Sequence, residues 1–117
     1  MTKQSKSYNL AKLHELVNGD TGFMKEVISI FLKNIPENSK ALLQAYSAKQ
    51  SENIYFIAHK MKASIDLLGI EKIMEDIRTI ELTAKSKSDL DQLENNINSV
   101  NNTIQCVTKE MKEDFNL

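Results

Sequence analysis

One stretch of this chain holds residue types that can do chemistry, at a spacing that brings them together. Residues 54–69 read IYFIAHKMKASIDLLG, and a helix turns by about 100° per residue. With His59 set at zero, Ile54, Ile57, Ala58, Met61, Ile65 and Leu68 fall in a broad arc centred roughly opposite it. Such an arc faces a core, so the spacing points His59 to solvent from the middle of a helix. Tyr55, Phe56, Lys62, Ala63 and Asp66 lie three, four or seven residues away and share its face. An exposed imidazole, with an ordinary pKa of about 6.5, is a partly neutral nucleophile near pH 7. Lys62, one turn along, can reach a phosphate oxygen and offset its charge, while Lys60 adds positive potential from the flank. Ala63 keeps the next turn low, so a partner's active site can close over the ring. The same residues also admit a plainer reading: an ordinary surface histidine among solvated lysines.

Other chemistries find little support. His14 follows Leu13 on a short first helix without the lysine and small-residue context, and reads as a surface residue. Cys106 lies close to an apolar stripe and reads as a core-edge residue rather than a reactive thiol. There is no HExxH, no CxxC pair, no glycine-rich phosphate loop and no nucleophile elbow. Neither histidine has a glutamate three residues before it, as a di-metal carboxylate bundle would require. The expectation is a protein that is not itself an enzyme and holds no metal.

The elements that must position His59 are all helical in pattern. Gly and Pro number only 3 and 1, which leaves little room for many short strands. Leu10, Leu13, Leu16 and Val17 mark a short first helix ended by Asn18 and Gly19. Asp20 or Thr21 can cap a second, with apolar positions Phe23, Met24, Val27, Ile28, Phe31, Leu32 and Ile35. The period resumes beyond Pro36 through Ala41, Leu42, Ala45 and Tyr46, which favours a kinked helix over two separate ones. After the interruption at residues 49–51, Ser51 is the expected cap of a third helix running to about Leu68, and Gly69 ends it. Ile73, Met74, Ile77, Ile80 and Leu82 mark a fourth helix, and residues 85–88 a polar loop. Asp89 opens a last helix, about 89–113, with the stripe Leu90, Leu93, Ile97, Val100, Ile104, Val107 and Met111. Asn95, Asn96, Asn98, Asn101 and Asn102 fill its solvated side, and residues 114–117 are expected to fray. Together these predict an all-α single domain over residues 1–117, an antiparallel four-helix bundle with a short additional N-terminal helix over one end.

Charge and composition narrow the partners. With 15 Lys and Arg against 16 Asp and Glu, the net charge of −1 argues against a broad electrostatic grip on nucleic acid. No apolar run approaches the roughly 20 residues that span a bilayer. Residues 1–9 lack a signal peptide's apolar stretch. The single cysteine cannot form an internal disulfide, so a cytoplasmic location is the expectation.

Ala58-His59-Lys60-Met61-Lys62-Ala63-Ser64, followed by Leu68-Gly69-Ile70, resembles the signature of histidine-containing phosphotransfer (HPt) domains. In that family the phosphorylated histidine is followed three residues later by lysine, then by a small residue, with a glycine ten residues after the histidine. Tyr8 to Asp20, then Phe23, Glu26, Phe31, Leu32 and Pro36, are similar to the family's first two helices, so the resemblance covers about residues 8–85. Ala63 stands where glycine is common, which implies a slightly tighter approach for a partner. The resemblance implies that His59 is the phosphoacceptor and Lys62 its electrostatic helper. Partners would be receiver domains of response regulators or a hybrid histidine kinase, which supply the aspartyl phosphate and Mg²⁺. It also places Glu81 where the family often has a polar side chain near the histidine, although a solvated glutamate explains that residue equally. The docking surface is expected around His59, with Phe56 and Leu67 on one flank and Tyr55 on the other, and with Ala63 and Asp66 between. Phe56 packed against a neighbouring helix is the alternative. Two other functions are open: a helical interaction module that binds receivers or other helices without transferring phosphate, and a bundle that dimerises through its apolar stripe. The expected state is a monomer.

Overall fold

The computed structural model describes residues 8–117. Residues 1–7, part of the predicted domain and of the segment read as lacking an export signal, lie outside the described residues. The helices are α1 (Ala11–Leu16), α2 (Thr21–Ser47), α3 (Ser51–Leu67), α4 (Met74–Lys85) and α5 (Glu94–Asp114). Single turns of 3-10 helix, Glu71–Ile73 and Leu90–Leu93, lead into α4 and α5. Among the described residues there is no strand. None of these helices is long and apolar enough to cross a membrane.

The longest helix forms in spite of its proline. Asp20 caps α2 by accepting the Phe23 N–H at 3.0 Å. Pro36 then lies inside an unbroken helix, where the missing donor and the ring clash cost about 3 kcal/mol. Ile28, Leu32, Ile35, Leu42 and Ala45 are buried on both sides of it, each large side chain contributing about 1.5–3 kcal/mol. Burial of one continuous face therefore outweighs the proline.

All five helices end in the same way. The residue after the C-cap takes a left-handed conformation at Asn18, Lys49, Gly69, Lys87 and Asn116, with φ between 55° and 63°. The next N–H then reaches back to a carbonyl in the last turn, as from Gln50 to Ala45 at 3.0 Å and from Ile70 to Ile65 at 3.0 Å. At the α2–α3 junction this closure makes Gln50, not Ser51, the N-cap of α3. At the C-terminus the Leu117 N–H donates to the Lys112 carbonyl at 2.8 Å. Gly69 meets a second demand. A Cβ there would sit 2.2 Å from the Asn9 carbonyl oxygen, and the Asn9 N–H donates to the Leu68 carbonyl at 3.0 Å.

α2 packs on α3 and α5, and α4 packs on the same two helices. The core between them contains Ile28, Leu42, Ile54, Met61, Ile65, Ile77, Ile80, Ile97 and Val100. Several stripe positions depart from expectation. Leu16, Phe23 and Leu82 are exposed, and so is Cys106. The short α1 buries only Leu13, and its C-cap Val17 is buried beside it. On α4 the buried series is Ile77, Ile80, Glu81 and Ala84, preceded by Ile73 in the 3-10 turn, which leaves Leu82 outside the inward arc. Cys106 likewise lies across α5 from Ile97, Ile104 and Met111. Asn96 and Asn101 are not merely solvated: Asn96 Nδ2 donates to Asp76 at 3.0 Å, and Ser39 Oγ donates to Asn101 Oδ1 at 3.0 Å.

Candidate functional site

His59 projects from the middle of α3, its side chain 59% exposed, because Ala58 and Met61 on the opposite arc are fully buried. α4 packs closely on α3. Glu81 comes across from α4 with only 8% of its surface exposed. Its two oxygens have different partners: Oε2 lies 2.5 Å from His59 Nδ1, and Oε1 accepts from Lys62 Nζ at 2.6 Å.

Burial alone would push the Glu81 carboxyl upward, but the hydrogen bonds from Lys62 and His59, with their charges, more than offset it and hold it below the ordinary glutamate range. Glu81 is thus a carboxylate that can only accept. Nδ1 of a neutral His59 must then carry the ring proton, which leaves the lone pair on Nε2, directed away from Glu81.

Tyr55, one turn earlier on α3, stacks on this ring with centroids 5.7 Å apart and planes 20° apart. Phe56 meets Tyr55 edge to face at 5.6 Å and remains 65% exposed, so it does not pack into a neighbouring helix. An open cleft of about 360 Å³ beside the ring is lined by His59, Lys62, Ala63, Asp66, Met74 and Arg78.

The expected site residues therefore divide. His59, Lys62, Glu81 and Tyr55 come together, and Ala63 and Asp66 line the adjoining cleft. Asp66 is bound by Lys12 of α1, 2.9 Å from each carboxylate oxygen. Leu67 is half-buried and packs partly against the core. Lys60 is exposed and does not line the cleft. Gly69 serves the helix end and the Asn9 crossing. His14 is exposed, as expected. Sequence reasoning missed Arg78 and Met74; Arg78 stands one turn before Glu81 on α4 and pairs with Glu75 at 3.1 Å, a position a helical wheel of α4 would have put beside the site. Among the described residues, no three of His, Cys, Asp and Glu are grouped so that they could hold a metal ion.

The chemical capacity of this arrangement is specific. It offers one accessible imidazole nitrogen with its tautomer set by a buried carboxylate, a lysine within one turn, and a cleft for an incoming group. Set against protein-family models, curated proteins and solved structures, the chain has no match in any of the three.

Proposed function

We propose that this chain is a histidine phosphotransfer protein, a phosphoryl carrier in a multistep two-component phosphorelay, with His59 as phosphoacceptor. The observation that carries this reading is the pairing of exposed His59 with buried Glu81, 2.5 Å from Nδ1. A surface histidine among solvated lysines has no need of a buried carboxylate. The packing of α2 on α3 and α5, and of α4 on the same two, supports an antiparallel four-helix bundle of α2 to α5 with α1 beside it; a cytoplasmic monomer is part of the same proposal.

In the first step the Nε2 lone pair of His59 attacks the phosphorus of a receiver's aspartyl phosphate in line. The N–P bond forms as the acyl P–O bond breaks, and the aspartate carboxylate departs. Glu81 keeps the Nδ1 proton in place throughout. Lys62 offsets charge on the phosphoryl oxygens, as cations do in phosphoryl transfer generally. The receiver brings Mg²⁺ and the remaining catalytic groups, so the chain is a carrier and not an enzyme. The reverse step gives the group to a second receiver's aspartate.

The test is incubation with a phosphorylated receiver domain and Mg²⁺, with His59→Gln as control. Acid-labile, base-stable label on the wild type and none on the variant is the expected result. Binding to a receiver without transfer, across a broad panel, would instead identify an interaction module. Label on His59→Gln would mean that another residue is the acceptor.

A further inference from the structure

We propose that Glu81 sets the lability of the phosphorylated ring as well as its orientation: by holding the Nδ1 proton it makes His59 a fast donor rather than a store. This rests on His59 being the phosphoryl-bearing residue.

The leaving group governs how readily the phosphoryl group departs. A ring phosphorylated on Nε2 and bare at Nδ1 must depart as an imidazolate, which is a poor leaving group. The same ring with a proton on Nδ1 departs as neutral imidazole. In transfer the P–N bond breaks, its electron pair returns to Nε2, and the phosphoryl group passes to an aspartate carboxylate or to water. The Nδ1 proton stays where it was, still donated to Glu81, so no proton has to be fetched.

The geometry favours the protonated form. Nδ1 lies 2.5 Å from Oε2, and attack by Nε2 of the neutral ring yields a cationic phosphoimidazole with that same proton in place. Glu81 is buried, so water has little access to remove the proton from its side. The Tyr55 ring stacked at 5.7 Å presents a face to the developing cation. The charges opposing it are Lys62, 2.6 Å from Oε1, Arg78 across the cleft, and exposed Lys60. Asp66 is occupied by Lys12. Of these groups only Glu81 has a hydrogen bond to the ring nitrogen, and Lys62 draws on the same carboxylate. Lys62 therefore moderates the effect of Glu81, which gives the two residues opposite signs.

Phosphoramidate phosphorylates imidazoles without a protein partner, so loading needs no cognate receiver. The loaded protein is followed by ³¹P NMR for hydrolysis across a range of pH, and by ¹H–¹⁵N spectra for the Nδ1 proton. Hydrolysis of the wild type is expected to stay fast to higher pH than that of Glu81→Gln, which should be about tenfold slower at mildly alkaline pH on losing a charge-assisted hydrogen bond. Lys62→Met should move the profile the other way. Coincident profiles for wild type and Glu81→Gln, with the same Nδ1 state, would overturn the inference and leave the carrier role standing. If Glu81→Gln fails to fold, Lys62→Met decides, and an unmoved profile overturns the inference. Failure to load His59, or equal loading of His59→Gln, would remove both this inference and the proposed function.

Discussion

Glu81 is the residue whose environment says most. A carboxylate on a residue 8% exposed that keeps its charge must be compensated, and the loss of one partner of a buried pair is costly. Its folded-state pKa is lowered, so its contribution to stability is present above the unfolded-state value and is lost as pH falls through the folded one. Glu81→Gln is accordingly expected to lower unfolding free energy by about 1–2 kcal/mol at neutral pH, since Lys62 and His59 are partly exposed and recover solvation. The gap between variant and wild type should close as the solution becomes more acidic than the ordinary glutamate range. Urea denaturation at a series of pH values measures this, and a gap constant with pH would contradict the assignment. His59 and Lys62 were legible because their spacing on one helix decides that they share a face. The resemblance puts Glu81 near the histidine, but its bonds to both His59 and Lys62 depend on how α3 and α4 meet. The apolar count on α4 included Leu82, yet a wheel centred on Ile77 puts Glu81 inside the arc and Leu82 outside it.

At the scale of the elements, most helices could be traced from apolar period and punctuation, and their ends were the less legible part. Only one of the five left-handed closures falls on glycine; two fall on Lys49 and Lys87, inside the interruptions at residues 49–51 and 85–88 but of a residue type that does not favour positive φ. Gly69 combines positive φ with a close approach to Asn9. Gly69→Ala should therefore cost about 2 kcal/mol or more, by thermal or urea unfolding, with His59 phosphorylation retained. Loss of phosphorylation in a folded Gly69→Ala protein would show that the glycine serves the site directly. Pro36 gives the opposite sign. Pro36→Ala restores a donor for the Leu32 carbonyl and is expected to raise stability by about 1–3 kcal/mol, after allowing for the greater freedom of the unfolded chain. A lowered melting temperature would mean that the Pro36 ring, half-buried near Asn101 and Ile104, contributes more by packing than it costs.

The whole molecule presents the imidazole, Tyr55 and Phe56 together on the outer side of α3, with the cleft toward α4 beside them. Phe56 is 65% exposed and contributes little to the core, which suits a side chain that meets a partner. Phe56→Ala should weaken receiver binding severalfold, as truncation of an aromatic interface residue does, while the melting temperature stays within experimental error; calorimetric titration and thermal unfolding together check this. A substantial loss of stability would instead make Phe56 a structural residue. The central claim is that His59 both takes and gives a phosphoryl group. Its most direct test is a two-receiver chase: label is loaded from one phosphorylated receiver with Mg²⁺, that receiver is removed, and a second unlabelled receiver is added. Label is expected to leave His59 and appear on the second receiver's aspartate, with none carried by His59→Gln. Label that never reaches the wild-type protein, or reaches the second receiver equally well through His59→Gln, would contradict the carrier role.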